Sequence, residues 1–148
     1  MKKLFIIVFI LLLTGCKSSN IIECTMESPD SFTDYKFTAK YSIYKDGEYV
    51  KSITSIEKYT VDDEEALINL KNEAEEKYKE YNDKYKGYIY SFNISDNTLE
   101  SKVIVNYDVL DYTKYLEDNP VMANYSKNNR FTVDGAKAMY ALLGAKCN

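Results

Sequence analysis

Residues 35–59 read YKFTAKYSIYKDGEYVKSITSIEKY, and this stretch decides the fold. Tyr35 to Lys45 and Glu48 to Tyr59 are rich in β-branched and aromatic residues. They flank Asp46-Gly47, a pair that tolerates the positive φ values of a tight hairpin turn. With Asp46-Gly47 as a two-residue turn, Lys45 pairs with Glu48, Ile43 with Val50, and Phe37 with Ile56. Phe37, Ala39, Tyr41, Ile43, Val50 and Ile56 then share one face. Lys36, Lys40, Lys51 and Glu57 fall on the other, so one side of the hairpin is expected to be wet.

Downstream, Asp62 is placed to start a long helix. Glu65 sits in capping-box position, and the acidic run from Asp62 to Glu65 complements the helix dipole. Leu67, Leu70, Ala74, Tyr78, Tyr81 and Tyr85 recur at steps of three and four and form one apolar stripe. Glu73–Lys77, Glu75–Lys79 and Glu80–Lys84 are spaced as i,i+4 ion pairs. Gly87 is the expected stop. A second hairpin follows, Tyr88 to Ile94 and Leu99 to Tyr107, with Asp96-Asn97 as its turn. Tyr88, Tyr90, Phe92, Ile94, Leu99, Val103 and Val105 then face the helix stripe.

After this hairpin the signals weaken. Tyr112, Tyr115 and Leu116 mark a short helix, Pro120 interrupts it, and Asn124 to Arg130 reads as a loop. Thr132 is a good N-cap for a last helix, Val133 to Leu143, with Ala136, Met139, Tyr140 and Leu143 inward. Upstream, Ile21 to Met26 is a first strand ended by Ser28-Pro29-Asp30. The expected class is α+β: a two-layer sandwich in which an antiparallel sheet of two hairpins plus a first strand packs against one long and one or two short helices.

The start of the chain carries a different kind of signal. Lys2 and Lys3 precede an unbroken apolar run from Leu4 to Leu13, too short for a membrane span of about 20 residues. Leu13-Thr14-Gly15-Cys16 then looks like a bacterial lipobox, whose cysteine receives diacylglycerol. This divides the chain into a lipoprotein signal peptide at 1–15, a lipid-anchored linker at 16–20 and a single α+β domain at 21–148. The implied location is a cell membrane, with the domain held on the extracytoplasmic side by lipid on Cys16. Loss of Lys2 and Lys3 with the signal takes the net charge from −4 to −6. An acidic surface of this kind argues against nucleic acid as a partner.

Cys16 aside, the remaining cysteines are Cys24 and Cys147. Outside the cytoplasm such a pair is expected to form a disulfide. A two-cysteine metal site is the poorer alternative, because the chain has no histidine to complete a shell. The lack of histidine also leaves a serine or cysteine nucleophile without its usual base. Asp62 to Glu65, and Asp108 with Asp111, are better read as helix starts than as catalytic carboxylates. The glycines are scattered singly, so no phosphate loop appears. No catalytic residue, metal site or cofactor is expected.

Recognition then falls to tyrosine, whose ring stacks while its hydroxyl stays wet. Most of the 15 tyrosines lie on predicted core faces. Tyr44, Tyr49 and Tyr59 on the first hairpin and Tyr125 in the late loop are the candidates for a recognition surface. Cys24 follows Cys16 by eight residues, so the first strand and the bridged C-terminal end are expected to face the membrane. The hairpin tip with Tyr44 and Tyr49 is then expected on the far side. The function implied is a non-enzymatic binding or interaction module for an envelope protein or cell-wall component. The alternative is a small-molecule carrier or accessory subunit of an envelope transporter. A deep apolar pocket between sheet and helix would favour the carrier, and a solid core with exposed aromatics the binding module.

Several of these features occur together in a known group. The lipobox, the Asp46-Gly47 hairpin, the acidic-start helix ending in Tyr85-Lys86-Gly87, the strand Lys102-Val103-Ile104-Val105-Asn106-Tyr107-Asp108 with its following helix, and a cysteine near the C-terminus resemble the YehR-like family of small bacterial lipoproteins. The resemblance spans nearly the whole chain after the signal, the region Pro120 to Arg130 excepted. It implies the same sheet-plus-helix architecture and a lipoprotein address, with no activity to carry over.

Overall fold

A computed structural model describes residues 20–28 and 35–148. Cys16, the signal preceding it, the linker as far as Ser19, and Pro29-Asp30 of the expected turn lie outside the described residues. The elements run β1 (Ile21–Glu27), β2 (Lys36–Asp46), β3 (Tyr49–Thr60), α1 (Glu64–Tyr85), β4 (Tyr88–Ser95), β5 (Thr98–Asn106), α2 (Tyr112–Asp118), a 3-10 turn (Pro120–Tyr125), β6 (Ser126–Lys127), β7 (Arg130–Phe131), α3 (Val133–Leu142) and β8 (Lys146–Cys147). Six strands form one sheet in the order β4-β5-β3-β2-β1-β8, antiparallel throughout. β6 and β7 form a small second sheet. α1 lies over β4 and β5, and α3 over β2 and β3. Both cover the same face of the sheet, because Tyr41 and Tyr90, in one cross-strand row, stack on Tyr140 of α3 and Tyr78 of α1 respectively. The class is α+β, as expected.

The first hairpin forms where expected but in a different register. Asp46 pairs with Tyr49, so Gly47-Glu48 is the turn, with Gly47 at φ 59°. A bulge at Tyr44/Lys45 then inserts a residue, and Ile43 pairs with Ile53 and Phe37 with Tyr59. The bulge and the displaced turn together shift the pairing by an odd number of residues, and an odd shift exchanges the two faces of a strand. Ile53, at 2% exposure, takes the core position expected of Ile56, and Glu57 moves from the wet face to the helix-covered one.

The second hairpin matches its expectation. Ser95 pairs with Thr98 around Asp96 and Asn97, at φ 50° and 56°, the left-handed conformation that two-residue turns of this type require. α1 is capped by Asp63, whose carboxylate accepts from the Ala66 amide, one residue later than the expected Asp62. Its ion pairs are Lys71–Glu75 and Lys79–Asp83 rather than those read from the sequence, while Lys84 reaches across to Asp118 on α2. Thr132 caps α3 as expected, through the Gly135 amide. Leu143, expected inward, is 57% exposed, because the helix has ended and the chain turns at Gly144 toward β8.

Pro120 to Arg130 is not an open loop. The 3-10 turn buries Met122, and Asn128-Asn129, both at φ 53°, close a two-residue hairpin that delivers Phe131 into the core at 1% exposure. Phe131 packs on Tyr107 and Tyr112, with ring centroids 5.2 and 6.4 Å away. At the β1–β8 edge of the large sheet, Cys24 is fully buried and pairs with Cys147 across β1 and β8, and the disulfide joins them. Among the described residues no helix is long and apolar enough to cross a membrane.

Candidate functional site

The register of β3 builds the site. Strand alternation puts Glu57 and Tyr59 on the covered face, beside Leu99 and the 6%-exposed Ser101 of β5, with Phe92 on β4 beyond. The middle of α1, from Leu70 to Tyr78, roofs this floor without filling the space above it. Leu67 is buried, but Leu70, one turn on and expected inward, is 37% exposed. The gap is a half-open cleft of about 250 Å³, roofed by Leu70, Glu73, Ala74, Lys77 and Tyr78. Elsewhere the core cluster that includes Ile43, Tyr85, Tyr88, Ala136 and Tyr140 packs between this face and the helices.

Glu57 is the one carboxylate on the floor. Tyr41 donates to its Oε1 and Tyr59 to its Oε2, each at 3.0 Å. Phe37 packs on the far side of Tyr59, with centroids 4.7 Å apart, and Tyr140 stacks on Tyr41 at 4.2 Å, so both donors are held by ring contacts. Among the described residues no Lys or Arg forms an ion pair with Glu57. Neighbouring Lys58 points the other way to Glu100, and Lys77 at the rim lies 5.6 Å from the Tyr81 ring centroid. A charge-assisted hydrogen bond from each hydroxyl makes a half-buried carboxylate tolerable but leaves its negative charge in place.

Burial raises the Tyr41 and Tyr59 hydroxyls well above their ordinary value of 10.0, and the Glu57 charge and hydrogen bonds raise them further. Tyr78 is raised by burial and then by Glu57, and Tyr88 and Tyr140 mainly by burial. Because the folded values exceed the unfolded one, the stability these groups contribute is complete below pH 10.0 and is lost as the pH rises from there toward the folded values. In an alkaline titration followed by phenolate absorbance, these tyrosines are expected to ionise only as near-ultraviolet dichroism collapses. Full ionisation near pH 10.0 with the dichroism intact would contradict their burial.

The four tyrosines singled out from the sequence do not meet. Tyr59 belongs to the cleft floor and is half-buried. Tyr49, also half-buried, is clamped by the small hairpin: Arg130 lies 4.0 Å over its ring, Asn128 donates to its hydroxyl at 3.2 Å, and Lys127 pairs with Glu48 at 3.1 Å. The Tyr125 carbonyl accepts from the amide and the hydroxyl of Thr132. Tyr44 is 39% exposed.

The expected orientation of the hairpin tip is overturned. β1 enters antiparallel to β2 with Ile21 opposite Tyr44, and the Lys45 amide donates to the Asn20 carbonyl at 2.9 Å. The tip therefore lies beside the start of β1, not a strand length from it. The cleft sits toward the other end of the sheet: Tyr49 to Glu57 along β3 spans roughly 26 Å at ~3.3 Å per residue. Sequence reasoning missed Glu57 because its parity depended on the bulge. Tyr59, two residues on and of the same parity, was the available signal.

No protein-family model matches the chain, and no curated protein matches it. Among solved structures, the chain is similar to one described as the NMR structure of the protein from Streptococcus pneumoniae TIGR4, with 19% identity and a TM-score of 0.50, covering 100% of this chain and 97% of that one. At this identity the likeness concerns the fold.

Proposed function

We propose that this chain is a membrane-anchored envelope lipoprotein, tethered through lipid on Cys16, whose α+β domain is a non-enzymatic binding module working through the Glu57 cleft. One observation carries the reading. The described chain starts at Asn20 beside the Lys45 amide, whereas the cleft opens near the opposite end of β3. A lipid at Cys16, four residues before Asn20, holds that near end within about 14 Å of the headgroups and presents the cleft outward. The filled core and the half-open, mixed polar and apolar cleft favour a binding module over a carrier enclosing an apolar cargo. A carrier of small polar molecules, feeding an envelope transporter, is the second reading, favoured by the same cleft.

Anchoring is tested at Cys16. Cys16→Ser is expected to move the protein from the membrane fraction to the soluble extracytoplasmic one and to remove the mass of the acyl chains. More than one acyl chain is needed for stable anchoring. Retention in the membrane with unchanged mass would remove the lipid tether.

A further inference from the structure

We propose that the cleft between β3 and α1 binds an organic ammonium group, with the cation against Glu57 and its alkyl substituents against the rings of Tyr59, Tyr78 and Phe92. The inference rests on the proposed binding role and names the ligand chemistry of that same cleft. Glu57 supplies a fixed negative charge, held at both oxygens by the Tyr41 and Tyr59 hydroxyls, with no cationic side chain paired to it among the described residues. The walls are aromatic: Tyr59 and Phe92 rise from the floor, and Tyr78 closes from the helix, 6.3 Å from Phe92 between ring centroids. Ring faces carry negative potential and attract cations, most strongly where water is partly excluded. A carboxylate among ring faces selects a positive charge carrying apolar substituents.

The surroundings argue against the other ligand classes. An anion would meet Glu57 and Glu73, with Lys77 as the one cation among the cleft's lining residues. A purely apolar ligand would strip water from Glu57 without replacing its hydrogen bonds, which is costly. A small metal ion needs several oxygen ligands, and among the described residues no group of three His, Cys, Asp or Glu is placed to hold one. An organic ammonium fits both the charge and the walls, and about 250 Å³ admits a small one.

The test is a two-dimensional amide NMR titration of the full-length protein with choline as probe, set against its neutral carbon isostere 3,3-dimethyl-1-butanol. Choline is expected to shift resonances of Glu57, Leu70, Tyr78 and Phe92 with a dissociation constant on the order of 1 mM, and the isostere to bind at least about tenfold more weakly. Glu57→Gln is expected to lose about tenfold or more in choline affinity. Leu70→Trp, which fills the cleft from its exposed rim and leaves the Glu57 hydrogen bonds alone, is expected to abolish the shifts even if Glu57→Gln fails to fold. Equal binding of choline and isostere, or no cleft shifts at about 100 mM choline, would overturn the proposal. So would shifts that persist in Leu70→Trp. Failure here leaves the anchoring result at Cys16 untouched, so loss of the ligand assignment is distinguishable from loss of the lipoprotein reading.

Discussion

Equilibrium unfolding of the Cys24→Ala/Cys147→Ala double variant is expected to show about 5 kcal/mol less stability than the bridged protein, the chain-entropy value for a loop of this length. The two cysteines are 123 residues apart, so the bridge closes nearly the whole domain. Folded-state contacts at the edge reinforce the expectation. β8 is only two residues long and holds to β1 through the Cys24–Cys147 and Thr25–Lys146 pairs and the Asn148 amide, which donates to the Glu23 carbonyl at 3.0 Å, a short ladder to retain it alone. Without the bridge the tail should leave, exposing β1 as an open edge, a template for association. Alanine is the cleaner replacement, because Cys24 is fully buried and serine would add a polar group there. Single domains have about 5–15 kcal/mol in total, so the variant should be close to the unfolding threshold at ambient temperature. Urea midpoints that coincide with and without the bridge would show that the disulfide contributes nothing.

Phe131→Ala is expected to cost about 3–5 kcal/mol, the range for truncating a fully buried aromatic residue. The size of the effect follows from where the ring sits. Phe131 joins Tyr107, just past the end of β5, to Tyr112 at the start of α2, and its own strand has only two residues. Its removal leaves a cavity that neither fixed neighbour can collapse to fill, and the β6–β7 hairpin loses its core contact. That hairpin also clamps Tyr49 and Glu48 at the first hairpin's tip. The variant should therefore loosen the amides of residues 126–131 and 47–50 in hydrogen exchange, in addition to lowering the midpoint. A loss under about 1 kcal/mol would mean that Phe131 is not part of the packed core.

How much of this was legible in the sequence depended on how each element is encoded. The second hairpin was readable in full, because Asp96-Asn97 both marks the turn and adopts its positive φ, and the flanking strands alternate cleanly. β3 was ambiguous. Its apolar residues Val50, Ile53 and Ile56 are spaced by three, a period that matches neither face of a strand, and the bulge that resolves the ambiguity leaves no compositional mark. Without the bulge Glu57 falls on the solvated face, and the cleft it floors is not apparent. β6, β7 and β8 are two residues each, too short for any periodicity. Asn128-Asn129 nevertheless has the same turn chemistry as Asp96-Asn97 and was the available clue to Phe131. The disulfide was legible by counting, since Cys24 and Cys147 were the cysteines left once Cys16 was assigned to the lipobox.

Site-specific photo-crosslinking in the native envelope tests the binding module and its orientation together. A photoreactive phenylalanine is placed either at Glu73, on the cleft roof, or at Tyr44, beside the chain entry. Binding through an outward-facing cleft predicts a discrete crosslinked envelope component from position 73, lost when Leu70→Trp fills the cleft, and none but lipid from position 44. A discrete component captured from position 44 and nothing from position 73 would contradict it.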